Sequence, residues 1–243
     1  MRTGAATRWS RTCPAPTRKA LGNMLTRLIN ALRPTTREKL PLAPAADARL
    51  SVLNVGGGNK NVAIPAHFDG WRQTLLDVNP AADIVCDARK LRDFVPAMNC
   101  DAVYCSHNLE HYYQHEVPGM LGAFAAVLKP AGFAEIRVPD IGALILHMAV
   151  QKIDIAQMIY DSPAGPISAH DVFYGFGAEI RDSGKDYYAH KTGFSRASLS
   201  AALFAGGFPV LCFAPPLADW ELHVFAFKQQ PDDALMQRLG LDR

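Results

Sequence analysis

Apolar positions along the chain fall into short runs. Leu50-Ser51-Val52-Leu53-Asn54-Val55 is the first strand-like run, and Gly56-Gly57-Gly58 stop it. Gln73-Thr74-Leu75-Leu76 ends at Asp77, Asp83-Ile84-Val85-Cys86 ends at Asp87, and the run 100–105 ends at Ser106-His107. A helical pattern fills Val117–Leu128 until Pro130 and Gly132. A fifth strand, Phe133–Val138, ends at Pro139-Asp140. Ile141–Met158 is helical in texture, and Asp161–Asp186 is rich in Gly, Pro, Ser and Asp. Regularity returns at Ser195–Ala205, with Ser195 as its cap and Gly206-Gly207 at its end. Strands are expected at Val210–Ala214 and Glu221–Lys228, and no internal repeat is visible.

Short strands with polar carboxyl ends, interleaved with helices, predict an α/β fold with a doubly wound sheet. Ligands of such sheets lie beyond those ends. Asn54, Asp77, Asp87, Ser106 and Asp140 all fall there. The core is expected over 50–139 and 193–228, with a cap insertion at 140–192 and a C-terminal tail at 229–243. A helix and linker precede it at 24–49. Leu25, Leu28, Ile29 and Leu32 keep helical spacing within 22–33, and Pro34, Pro41 and Pro44 follow. Residues 1–23 read as a basic, disordered extension.

Composition changes this picture little. With 243 residues, 49% hydrophobic and 20% charged, the chain can bury a sizeable core without disulfides. Charge is more informative. Residues 1–40 hold nine Lys/Arg against Glu38, which leaves 16 basic and 22 acidic residues in the remainder. A mildly acidic body is a poor binder of nucleic acid. The leader lacks the apolar stretch of a secretory signal. Three readings of it stay open: a transit-like leader, a disordered arm, or sequence upstream of a start at Met24. Its removal is expected to leave folding and ligand binding intact. No apolar run approaches the roughly 20 residues of a membrane span. Cys13, Cys86, Cys100, Cys105 and Cys212 form no Cys-x-x-Cys pair, which suits reduced thiols in the cytoplasm. No His-Glu-x-x-His spacing occurs, so no metal is expected.

The glycine cluster admits three readings. A dinucleotide fingerprint wants Gly-x-Gly-x-x-Gly, but after Gly56 and Gly58 the third place is Asn61. A P-loop is absent, and a tight turn without ligand is the third. The wider combination is more specific. "LNVGGGNK", "LLDVNP", "IVCDARKL", "DAVYCSHNLEHY" and "LKPAGFAEIRVPD", with "HKTGFSRASLSAALFAGGF" more weakly, resemble the class I S-adenosylmethionine-dependent methyltransferases. The looser subgroup in which the glycine motif is followed by a short, non-helical stretch containing "GW" and then "D" looks closest, with Gly70-Trp71 and Asp77 fitting it, and the resemblance points to the small-molecule and glycan type. The resemblance implies a Rossmann-like mixed sheet with a cap insertion, and S-adenosyl-L-methionine as cofactor. The residues implied to hold it are Asn54, Gly56, Gly57, Gly58, Asp77, Val78, Asp87, Ala88 and Ser106. Asp77 suits the ribose hydroxyls, since a carboxylate accepts both protons in charge-assisted bonds; the alternative is a turn acid. Asp87 suits the adenine amino group, with Ala88 and Leu91 beside the ring; the alternative is an N-cap before Ala88–Leu91. Two positions depart from the family pattern. Asn54 replaces an acid, and Lys60 replaces a glycine and would bring positive charge towards a sulfonium.

Methyl transfer needs alignment and sometimes a base. His107 is the candidate general base, or else a polar residue lining the cleft. Glu110-His111 reads as a structural pair, with Glu110 in a helix's first turn. The cap holds Tyr160, Tyr174, Tyr187 and Tyr188; Tyr174 and His190 are the candidate acceptor contacts, and a satellite apolar cluster is the alternative. Neither the Asp/Asn-Pro-Pro-aromatic motif of nucleic-acid amine methyltransferases nor a Pro-Cys nucleophile follows the fourth strand. A small-molecule, sugar or glycan-precursor acceptor remains, with oxygen as the expected atom. A non-catalytic methyltransferase-like binding protein and an NAD-dependent oxidoreductase are the competing classes.

Overall fold

The computed structural model describes residues 49–162 and 165–241. The extension 1–23 and the helix expected over 22–33 lie outside the described residues. In chain order the elements are β1 (Ser51–Val55), β2 (Arg72–Asp77), β3 (Ile84–Val85), α1 (Leu91–Phe94), β4 (Cys100–Ser106), α2 (Val117–Val127) and β5 (Leu128–Pro139). Then come α3 (Ile141–Gln151), β6 (Met158–Ser162), β7 (Gly165–Ser168), α4 (Ala169–Tyr174) and α5 (Gly177–Ser183). The chain closes with α6 (Arg196–Ala205), β8 (Val210–Ala214), β9 (Glu221–Phe227) and α7 (Asp233–Arg238).

Seven strands form one mixed sheet in the order β3-β2-β1-β4-β5-β9-β8. The first five are parallel, and β9 runs antiparallel to both β5 and β8. Strand order reverses between β1 and β4, which opens a crevice at the carboxyl ends there. The expected α/β, doubly wound mixed sheet is therefore the observed one.

Side-chain alternation along the strands divides the core in two. Leu53, Val55, Val103, Cys105, Ile136 and Val138 face Met120, Leu121 and Phe124 of α2 and Leu199 and Leu203 of α6. Val52, Ala102, Phe133, Phe225 and Phe227 face the other way. That second face is covered by Phe68 and Trp71 from the β1–β2 connection and by Met236 and Leu241 at the C-terminus. The stretch expected to be a plain tail thus contains α7, capped by Asp232, and seals part of the sheet.

Two local features matter for the site. The β1–β2 connection carries only a 3-10 turn, Ala66–Phe68, between Pro65 and Gly70. The helix expected to run to Met158 stops at Gln151, where Lys152 adopts a left-handed conformation (φ 55°). The following chain forms the hairpin β6–β7, and Leu144, Ile167 and Val172 gather a small core that includes Trp220. The insertion rejoins the sheet where Ile141 N–H donates to the Phe194 carbonyl.

Candidate active site

The loop after β1 is shaped by contacts that exclude side chains. Gly56 and Gly58 have φ of 76° and 70°, a region that glycine enters at no steric cost. A Cβ on Gly56 would overlap the Asn108 amide, and one on Gly57 would overlap Asn54. Asp77, at the end of β2, holds this loop directly. One of its oxygens accepts from Gly58 N–H and the other from Asn79 N–H, both at 2.8 Å.

Gly56, Gly58, Asp77, Val78 and Asp87 line a cavity of about 460 Å³ beyond the strand ends. That is within the ~300–1,000 Å³ of small-molecule sites. Four expected cofactor residues do not line it. Asn54 is buried beneath Gly57, with its Oδ1 unbonded. Gly57 itself turns inward. Ala88 is 3% exposed and belongs to the core with Leu91, so neither flanks the opening. Ser106 supports the Tyr104 hydroxyl.

Asp87 does cap the turn 88–90, accepting from Arg89 N–H at 2.9 Å. It is also gripped by the Arg89 guanidinium at 2.6 Å, which in turn reaches Glu116 at 2.7 Å. Burial opposes ionisation of Asp87, yet the Arg89 bonds outweigh it and hold the carboxyl below its usual range. Lys60 does not bring its charge to the cavity; its ammonium pairs with Asp83 at 2.6 Å.

A second cavity of about 600 Å³ adjoins the first, and the two share His107, His111 and Tyr188 as lining residues. Its walls come from the insertion, through Tyr160, Asp171, Phe176 and Glu179, and from the core, through Trp220 and Glu221. His190 lines it as expected. Tyr174 does not: it is 55% exposed and its ring lies tilted against His170.

His107 sits where the two spaces meet, in a left-handed conformation (φ 48°) uncommon for a residue with a Cβ. Its Nε2 is 3.0 Å from Glu221 Oε2 and its Nδ1 is 3.4 Å from Glu110 Oε1. Desolvation lowers its pKa, but the charge of Glu110 and the bond and charge of Glu221 prevail and raise it to about 10. Two carboxylates beside the ring favour its charged form. The expected general base is, in this arrangement, a cation and hydrogen-bond donor held between two carboxylates.

Glu110-His111 occupies a 3-10 turn, Leu109–His111, that docks the returning cap. The Glu110 carbonyl accepts from Lys191 N–H at 2.7 Å, and His111 Nδ1 meets the Ala189 carbonyl at 3.2 Å. Sequence reasoning missed Glu221 and this docking because each depends on partners distant in the chain, and it missed Arg89, whose partners are Asp87 two residues away and Glu116. The "EH" pair was the one visible signal.

No protein-family model matches the chain, and no curated protein matches it. Solved structures do resemble it. A possible exported protein from Bordetella parapertussis has 17% identity and a TM-score of 0.45 over 76% of this chain and 63% of that one. This chain thus spans under two thirds of that protein's length. A SAM-dependent methyltransferase from Archaeoglobus fulgidus has 13% identity over 86% and 94% of the two chains, with a TM-score of 0.48. A SAM-dependent methyltransferase from Thermotoga maritima, described as a possible histamine N-methyltransferase, has 12% identity over 74% and 82%, with a TM-score of 0.45. The fold assignment rests on the strand order and not on these likenesses. Among the described residues no helix is long and apolar enough to cross a membrane.

Proposed function

We propose that this protein transfers a methyl group from S-adenosyl-L-methionine to a small polar acceptor, a sugar or a glycan precursor, at oxygen. The observation that carries the reading is the glycine loop at the strand-order reversal. A dinucleotide's pyrophosphate sits on the N-terminus of the helix that follows such a loop. Here turns and a 3-10 segment follow instead. The loop therefore suits a nucleoside without phosphates, which argues against the nicotinamide alternative. Asp77, fixed by Gly58 and Asn79, leaves a carboxylate edge for ribose hydroxyls, and Asp87 with Arg89 marks the adenine end.

The sulfonium would lie towards His107, and the acceptor would enter the neighbouring cavity beneath the insertion. Trp220 and Tyr160 offer aromatic faces, and Asp171, Glu179 and Glu221 offer acceptors for hydroxyl donors. His107, with its two ring nitrogens facing Glu110 and Glu221, would contribute charge at the junction of the two spaces rather than deprotonate the acceptor. The scattered cysteines favour a cytoplasmic setting.

Release of S-adenosylhomocysteine from S-adenosylmethionine, followed over a panel of hydroxylated small molecules and sugar derivatives, tests transfer. Acceptor-dependent release is the expected result. Cofactor binding with no release on any acceptor would favour the non-catalytic alternative.

A further inference from the structure

Glu110 is 1% exposed, yet neither of its carboxylate oxygens accepts a hydrogen bond. Among the described residues its ion-pair partner is His107, at 3.4 Å. A buried carboxylate so poorly matched is costly unless something else satisfies it. Two imidazoles face it from different elements. The ligating atoms of Glu110, His111 and His190 all lie within 4.8 Å of one another.

The histidines are oriented as metal ligands require. His111 Nδ1 lies 3.2 Å from the Ala189 carbonyl, and His190 Nδ1 lies 2.9 Å from the Val172 carbonyl. A carbonyl only accepts, so each Nδ1 carries the proton and each Nε2 keeps its lone pair. Backbone partners that fix the tautomer in this way are the usual outer support of a ligating histidine. All three residues line the larger cavity, so positions around an ion would open onto it.

We propose that Glu110, His111 and His190 bind a first-row divalent cation of the imidazole-preferring kind, such as Zn²⁺ or Fe²⁺, at the floor of this cavity. Two imidazoles and one carboxylate suit these ions, whereas Mg²⁺ and Ca²⁺ prefer all-oxygen sets. A tetrahedral ion with bonds of about 2.0–2.1 Å keeps its ligand atoms roughly 3.4 Å apart. The triad needs only a small closing movement to reach that. His111 and His190 lie far apart in sequence, which is why no metal spacing is visible there.

The site stands on its own geometry; its use rests on the methyl-transfer reading. An acceptor hydroxyl on the ion would lose its proton to water more readily. The oxygen would then form the bond to the methyl carbon, and sulfur would keep the electron pair of the broken S–C bond.

The test uses the full-length protein stripped with EDTA and titrated with Co²⁺ in the absence of cofactor. Saturation at one equivalent is expected, with visible d–d absorption that Zn²⁺ displaces and Mg²⁺ does not. Glu110→Gln and His190→Gln are expected to weaken binding by about a hundredfold or more, since even outer partners of ligands are worth 10–100-fold. His115→Ala, at an exposed histidine, should bind as the parent does. If Glu110→Gln fails to fold by circular dichroism, His190→Gln in the insertion carries the comparison. Lack of saturable Co²⁺ binding, or parental binding in the His190 variant, overturns the proposal. Separate titration with S-adenosylhomocysteine distinguishes failure of the ion site from failure of the cofactor reading.

Discussion

Asp77 is the residue on which the cofactor reading bears most heavily. It is anchored by two backbone N–H groups and faces the cavity, so its position is set before any ligand arrives. Asp77→Ala is expected to weaken S-adenosylhomocysteine binding by about 1.5–3 kcal/mol, the range for a hydrogen bond to a charged group. An unchanged dissociation constant in a folded variant would place the ribose elsewhere. Asp77, Gly56 and Gly58 were legible because strand ends and glycine clusters are local patterns. His107 was legible as a position but not as a charge. Its state depends on Glu221, which belongs to a strand far along the chain and is buried beside it. Asp87 showed the same limit, since the spacing revealed its cap and concealed its grip on Arg89.

Between elements, the strongest electrostatic tie lies on the sheet face away from α2 and α6. Glu135 of β5, fully buried, meets His67 of the β1–β2 connection at 2.8 Å, His223 of β9 at 2.9 Å and Arg137 at 2.8 Å. Burial alone would raise its pKa, but the bonds to His223 and His67 and the nearby charges lower it to about 2. A carboxyl depressed in the folded state stabilises above its unfolded pKa and loses that contribution as pH falls through the folded value. Stability should therefore decline between roughly pH 4.5 and 2. Glu135→Ala should cost about 3–5 kcal/mol at neutral pH, because it strands a buried guanidinium. Denaturant melts of both proteins across that range check this. A parental decline that persists undiminished in Glu135→Ala would assign it to other groups. At this scale the sequence revealed α6 through Ser195, whose capping box with Ser198 is present. The hairpin β6–β7 stayed hidden because its strands are four and five residues long and turn-forming residues dominate the composition around them. The closing helix α7 was missed for a similar reason, being a single short stretch with one strongly buried side chain, Met236.

For the molecule as a whole, alternating runs and polar strand ends were enough to predict the doubly wound sheet. The non-helical β1–β2 connection was implied by the resemblance, through Gly70-Trp71, and not by the runs themselves; only a 3-10 turn stands there between Pro65 and Gly70. That absence is what separates a phosphate-free nucleoside from a dinucleotide at the glycine loop. Two adjoining cavities lie beside the sheet, sharing His107, His111 and Tyr188. Calorimetric titration of the full-length protein with S-adenosylhomocysteine and with NADH tests this account most directly. Saturable binding of S-adenosylhomocysteine at one equivalent, with no heat from NADH, is the predicted result. Binding of NADH without binding of S-adenosylhomocysteine would contradict it.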